Sequence, residues 1–125
     1  MTCFWIGIIS ALREEKMIRR DTKPIELINY FKTKNTEMTD VLWNNKKLSE
    51  KYIKEHMQAI KDYNGFKIGN GHLCSTCDYF LTLICQLFKV NIIHDFNGTI
   101  INYKYIPGSN RTLKFKSDRG HFWKN

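Results

Sequence analysis

The spacing of apolar residues changes once along this chain, near residue 90, and this change limits the folds that the chain can adopt. Before it, apolar residues recur every three or four positions, as in "CDYFLTLICQLF" (77–88), which is typical of a helix packed on one side. After it, "VNIIHD" and "TIINYKY" show the alternation of strands, joined by Asn97-Gly98, a dipeptide favoured in tight hairpin turns. Helices first, followed by a small, mainly antiparallel sheet, predict an α+β fold.

Three further helices are predicted upstream of residue 77. The first runs from about Phe4 to Met17 and carries an apolar stripe on one side. The second is N-capped by Thr22 and has Pro24 in its first turn. The third begins at Ser49 and is expected to end at Asn64-Gly65. We expect the polar stretch from Lys34 to Lys47 to be a loop with a short turn. Downstream, "RTLKFK" and "GHFWKN" are predicted to be the last two strands.

Length and composition favour one packed domain covering residues 1–125. Hydrophobic residues make up 42% of the chain and aromatic residues 14%, which argues against disorder. With 20 basic and 12 acidic residues the net charge is +8, a balance that favours acidic partners or nucleic acid. The basic residues are spread along the chain, however, and no RNA-binding motif is present, so nucleic acid is not the expected partner. No apolar run approaches the ~18 residues of a membrane span, so we expect no membrane partner.

The cysteine pattern leaves two interpretations open. The chain has four cysteines, Cys3, Cys74, Cys77 and Cys85, which are too few for a disulfide-dense scaffold. We therefore expect a reducing compartment such as the cytoplasm. For a protein from a virus or an intracellular microbe, this would be the cytoplasm of the host cell. The run from His72 to Cys77 reads H-x-C-x-x-C, and with Cys85 it offers four zinc ligands. There is no second C-x-x-C pair, and these cysteines also fit the inner face of the predicted fourth helix as core residues. We therefore predict no metal, with zinc as the alternative.

Cys3 and His121 are the residues with the clearest chemical potential. Cys3 precedes the first helix, and the positive end of a helix dipole favours the nucleophilic thiolate. His121 lies in "RGHFWKN", where Gly120 permits close approach of another chain and the two following aromatic residues anchor the strand. A catalytic thiol needs a base near it in space rather than in sequence. A compact domain often brings its two ends together, although a structural cysteine and an edge-strand histidine would look the same.

Four stretches in this order resemble the ovarian-tumour (OTU) family of cysteine proteases, which mostly cleave ubiquitin or related modifiers. "TCFWIGIISAL" is similar to the family's nucleophile segment, and "NGHLCSTCDYFLTLICQLFKVNI" to its glycine-containing loop, long helix and following strand. "GTIINYKYIPGSNRTLKFK" resembles the hairpin and strand that come next, and "RGHFW" resembles the terminal histidine motif. The resemblance runs from Cys3 to Trp123.

The resemblance implies an OTU-like fold and a thiol isopeptidase without cofactor or metal, monomeric and acting on ubiquitin or a ubiquitin-like protein. Cys3 would be the nucleophile and His121 its general base and acid. The loop Asn70-Gly71-His72 would line the channel for the modifier's Gly-Gly tail, because small residues let two backbones pass closely. Gly120 and Phe122, beside the histidine, complete the expected substrate-binding residues.

The chain departs from the family's pattern at two places, and these departures lead to an alternative expectation about its activity. Only two residues precede Cys3, where the family has an Asp-Gly-x run that helps to build the oxyanion hole. Trp123 stands where the family often has an Asp or Asn that orients the histidine, a role left to Asp118 or Asn125. The alternative expectation is therefore a catalytically inactive OTU-like binding module, and a basic nucleic-acid-binding domain is the third.

Overall fold

The computed structural model describes residues 3–63, 74–118 and 121–125, apart from the side chains of residues 74–77, and within them it has four helices and six strands. The elements in chain order are α1 (Cys3–Glu14), α2 (Pro24–Thr33), β1 (Val41–Trp43), β2 (Lys46–Lys47), α3 (Glu50–Asp62), α4 (Cys74–Phe88), β3 (Asn91–Phe96), β4 (Thr99–Tyr105), β5 (Thr112–Ser117) and β6 (Phe122–Lys124). The predicted α+β class is confirmed.

The six strands form one sheet in the order β2-β1-β4-β3-β5-β6. Every neighbouring pair is antiparallel except β3 and β5, so the expected mainly antiparallel sheet is confirmed. The predicted turn between β3 and β4 is also confirmed: Asn97 and Gly98 both have positive φ, 48° and 93°, as a type I′ turn requires. The N–H of Gly98 donates to Oδ1 of Asp95 at 2.9 Å and closes the turn.

The stretch from Lys34 to Lys47, predicted to be a loop, instead contains the β1–β2 hairpin, so that prediction was wrong. Asn44 and Asn45 form its turn with φ of 47° and 68°, a left-handed conformation that asparagine adopts more readily than most residues. The side chain of Asn44 also accepts the N–H of Asn102 at 2.8 Å, which ties the turn to β4. The hairpin is stabilised by pairing with β4, a contact that local sequence does not reveal.

The helices begin and end close to their predicted positions, with differences that have local causes. Helix α1 ends at Glu14 rather than Met17, since Lys16 has a φ of 58° that a right-handed helix does not allow. The N-cap of α2 is Lys23 rather than Thr22, and the N–H of Lys23 donates to Glu26 Oε1 at 3.0 Å. Helix α3 begins directly after Ser49, close to its predicted start, and Ser49 caps it by accepting the N–H of Tyr52 at 3.2 Å. The predicted end of α3 at Asn64-Gly65 lies outside the described residues.

One face of the sheet packs against the helices and forms the core. Helix α1 packs on β6 and β5, and α4 packs on β4, β1 and β3. The apolar stripe of α1 is buried as predicted, with Trp5, Ile8 and Leu12 each no more than 2% exposed. The opposite face of the sheet is exposed: along β5, exposed and buried side chains alternate strictly. No helix in the described part of the chain is long and apolar enough to cross a bilayer.

Candidate functional site

The two ends of the chain meet at the sulphur of Cys3. Cys3 is the first residue of α1, is half-buried, and its Sγ accepts a hydrogen bond from the backbone N–H of Phe122 at 3.2 Å. Phe122 is the first residue of β6 and directly follows His121. Standard backbone geometry then keeps the Cα of His121 within about 6 Å of the Cys3 sulphur. The structure therefore brings the two predicted catalytic residues together.

The register of β6 explains why a backbone N–H is available to Cys3. Asp118 donates its N–H to the carbonyl of His121 at 2.9 Å, and Asn125 donates to Lys114 at 2.9 Å. Hydrogen-bonded and non-hydrogen-bonded pairs alternate along an antiparallel ladder, so Phe122 and its partner Ser117 occupy a non-hydrogen-bonded position. The N–H of Phe122 consequently points away from β5, toward the outer edge of the sheet. The sulphur of Cys3 accepts the hydrogen bond from this N–H at the edge of the sheet.

Close packing fixes α1 against β6. Gly7 lies so near the strand that an added Cβ would be 3.0 Å from two ring carbons of Phe122 and 3.4 Å from the Cα of Trp123. The rings of Phe4 and Phe122 pack with centroids 4.8 Å apart. Glu14, at the other end of α1, pairs with Lys124 at the end of β6. The helix is thus attached along the whole strand, and the Cys3–His121 separation depends on this attachment.

His121 is held by its backbone and by one aromatic neighbour. Its N–H donates to Oδ1 of Asp118 at 3.0 Å, so the carboxylate positions the main chain just before β6. Its exposed imidazole stacks on the indole of Trp123, with centroids 5.0 Å apart and planes 26° apart. Asn125, the other proposed orienting residue, follows the opposite end of β6. Of the two candidates, Asp118 is therefore the one beside His121.

The remaining predicted substrate-binding residues are placed only in part. Asn70, Gly71, His72 and Gly120 lie outside the described residues. Phe122 is described, and its side chain is 1% exposed in the core, so a substrate would meet only its backbone.

The zinc alternative cannot be built from described side chains, because His72 and the side chains of Cys74 and Cys77 lie outside them. The fourth candidate zinc ligand, Cys85, is fully buried in α4, and burial raises the pKa of its thiol to about 12. Within the described residues there is no group of three or more His, Cys, Asp or Glu that could hold a metal ion.

Two polar pairs near the core were not identified from the sequence. His94 in β3 is 1% exposed, and its Nε2 lies 2.6 Å from Oγ of Ser117 in β5, with its ring 5.4 Å from that of Phe122. Strand alternation places both side chains on the inner face, which is the only sequence signal for the pair. The second pair, Asp78 and Tyr103, joins α4 to β4: the Tyr103 hydroxyl donates to Oδ1 of Asp78. No local motif links these two residues, which are 25 positions apart.

Comparison of the chain with protein-family models, with curated proteins and with solved structures gives no match. The interpretation of the site therefore depends on its own geometry and chemistry.

Proposed function

We propose that this protein is an OTU-like thiol isopeptidase that removes ubiquitin or a ubiquitin-like modifier from other proteins. Cys3 is the nucleophile and His121 is the general base and acid. The observation that carries the proposal is the contact between Sγ of Cys3 and the N–H of Phe122, which holds a helix N-terminal thiol beside the strand that presents His121. The proposed nucleophile and the proposed base come from opposite ends of the chain, and this contact supports their pairing.

In this mechanism His121 takes the Cys3 proton, and the sulphur attacks the carbonyl carbon of the modifier's C-terminal glycine. The tetrahedral oxyanion is stabilised by backbone N–H groups at the N-terminus of α1, where the helix dipole is positive. The C–N bond to the lysine breaks, and the amine leaves with the proton from His121. Water then attacks the thioester, gives a proton to His121, and releases the modifier's carboxylate and the cysteine.

The neighbours of His121 act as positioning residues in this scheme. The Asp118 carboxylate holds the His121 N–H, and the Trp123 indole limits rotation of the imidazole by stacking on it. Because the stack uses the ring face, both ring nitrogens stay able to form hydrogen bonds in the ring plane. Trp123 thus takes over part of the orienting role that the family often gives to Asp or Asn.

The proposal is tested by measuring turnover of ubiquitin and its common relatives, each of which carries a fluorogenic amide at its C-terminus. The wild-type chain and Cys85→Ala are expected to release the fluorophore, whereas Cys3→Ala and His121→Gln are expected to lose at least a hundredfold in kcat/KM. Cys85→Ala is the matched control, since its thiol is buried and its pKa is about 12. Equal turnover by wild type and Cys3→Ala, or none by wild type on any modifier, contradicts the proposal.

One observation favours a second candidate, the non-catalytic binding module. The exposed face of the sheet carries four lysines on three strands: Lys47, Lys104, Lys114 and Lys116. The register of β3 and β5 places Asp95 beside Lys116, so this face of the sheet also carries an acidic residue next to the lysines. Such a face fits an acidic partner. Binding of an unmodified modifier that weakens with added salt, without turnover, would favour this candidate, and salt-dependent binding of nucleic acid alone would favour the third.

A further inference from the structure

A small cavity whose described lining does not include Cys3 lies between the β1–β2 hairpin and helices α3 and α4. Its volume is ≈ 200 Å³, and the described residues that line it are Trp43, Leu48, Tyr52, His56 and Asp78. The lining is mostly apolar and aromatic, with one carboxylate and one imidazole. This combination of an apolar body with few polar groups is typical of small-ligand sites. The volume lies below the roughly 300–1,000 Å³ of pockets for drug-sized ligands, which favours a short chain or single functional group.

Among the described residues, the carboxylate of Asp78 receives hydrogen bonds from two neutral donors. The Tyr103 hydroxyl and the Trp43 side chain both donate hydrogen bonds to it. Burial raises the pKa of Asp78, while these two hydrogen bonds lower it. No ion pair to Asp78 exists within the described residues, although the chain carries a net charge of +8. A half-buried negative charge with no cation beside it would be stabilised by a cationic ligand.

The imidazole of His56 adds an unused hydrogen-bonding atom. His56 is 8% exposed, and its Nδ1 has no hydrogen-bond partner in the described part of the chain. Burial lowers the pKa of His56, and the charge of Glu55 raises it by a smaller amount. A neutral imidazole can accept a hydrogen bond at one nitrogen, and a buried nitrogen left without one is costly. The Tyr79 ring packs edge-on against the imidazole at 4.8 Å and limits its reorientation.

We propose that this cavity binds a primary alkylammonium group, with the ammonium between Asp78 and His56 and the alkyl chain against Trp43, Leu48 and Tyr52. The aromatic rings of Trp43 and Tyr52 favour a cation near them, and the carboxylate supplies the opposite charge. An N–H donor is needed because Nδ1 of His56 can accept one. A quaternary ammonium has the charge but no N–H, and an alcohol has a donor but no charge.

Binding is measured on the full chain by NMR, following the indole N–H signals of the three tryptophans during titration. The probe is n-butylammonium chloride, and the controls are tetramethylammonium chloride at the same ionic strength and n-butanol. We expect saturable shifts of the Trp43 signal with n-butylammonium, and at least tenfold weaker binding of both controls. Equal binding of n-butanol, or an unchanged Trp43 signal with n-butylammonium, overturns the proposal.

A second set of titrations distinguishes the sources of the ammonium. One uses a short diamine, which represents free polyamines, and the other uses a lysine residue blocked at both ends, which represents a protein side chain. Tighter binding of the blocked lysine assigns the cavity to a protein partner, and tighter binding of the diamine assigns it to a free amine. Either result supports an alkylammonium site, and binding of neither overturns it.

Variants test the residues that hold the ligand. Asp78→Asn removes the charge at nearly constant shape and is expected to weaken n-butylammonium binding at least tenfold. Asp62→Asn is the matched control on the exposed surface of α3, and it is expected to bind as the wild type does. If Asp78→Asn does not fold, Tyr52→Ala replaces it, since Tyr52 is 56% exposed and its ring is dispensable for the core. Wild-type affinity in the folded variants would overturn the proposal.

Discussion

Gly7 and Phe122 lie so close together that any side chain at residue 7 would press against the Phe122 ring. A Cβ at this position would lie 3.0 Å from two ring carbons of Phe122. The Phe122 ring has little freedom to move, because it packs against Phe4 and stacks on Phe115 at 5.2 Å. The glycine is therefore what allows α1 to approach β6 and Cys3 to reach the N–H of Phe122.

Gly7→Ala is expected to destabilise the protein by about 1 kcal/mol. Overpacking costs about 1–3 kcal/mol, which outweighs the gain in helix propensity of up to about 1 kcal/mol when alanine replaces glycine. Chemical denaturation measures this change. The control is Ser10→Ala, on the exposed side of the same helix, which should be neutral or slightly stabilising. A Gly7→Ala protein as stable as Ser10→Ala would mean that α1 and β6 are less tightly packed than described.

Asp118→Ala is expected to loosen the main chain at His121, because it removes the carboxylate that accepts the His121 N–H. The cost in stability should be about 0.5–1 kcal/mol, since the residue is exposed. Hydrogen exchange of the His121 amide should become faster, which is the specific readout. Asp118→Asn keeps a side-chain oxygen as acceptor and should exchange nearly as slowly as the wild type. Identical exchange in Asp118→Ala and wild type would exclude this positioning role.

His56 should make the protein less stable in mild acid. Burial holds the folded pKa of His56 below the ordinary histidine value of 6.5, so as the pH falls below that value the unfolded chain takes up the proton first. The free energy of unfolding therefore decreases, by up to about 1.4 kcal/mol per pH unit, until the pH reaches the folded pKa. Asp78 contributes with the opposite sign at lower pH, since its folded pKa lies above 3.8.

Urea unfolding between about pH 7.5 and pH 5 measures this dependence, since this range spans the ordinary histidine pKa. His56→Gln should show a smaller loss of stability on acidification than the wild type. Glu55→Gln should show a larger loss, because it removes the negative charge that raises the pKa of His56. The same pH dependence in all three proteins would show that His56 is not the group responsible.

Most of the fold could be predicted from the sequence, because its elements carry strong local signals. The apolar spacing identified the four helices, and Asn97-Gly98 identified the β3–β4 hairpin. The β1–β2 hairpin was missed because its strands have three and two residues and alternate weakly. Its Asn44-Asn45 turn is a weaker signal than Asn-Gly, and its stability comes from pairing with β4.

The candidate sites were predictable to different degrees. The pairing of Cys3 with His121 is an expectation from the family resemblance, whereas the contact between Cys3 and the N–H of Phe122 follows only from the register of β6. The cavity around Asp78 could not be predicted. It draws on side chains from several elements distant in sequence, and no sequence motif joins them.

The central claim, that Cys3 is a nucleophile in a modifier-binding site, is tested most directly by reaction with ubiquitin carrying an electrophile at its C-terminus. Mass spectrometry of the adduct identifies the modified residue. The account predicts one ubiquitin attached to Cys3 in the wild type and in Cys85→Ala, and no adduct in Cys3→Ala. Attachment to another cysteine, or no adduct with ubiquitin and its common relatives, would contradict it.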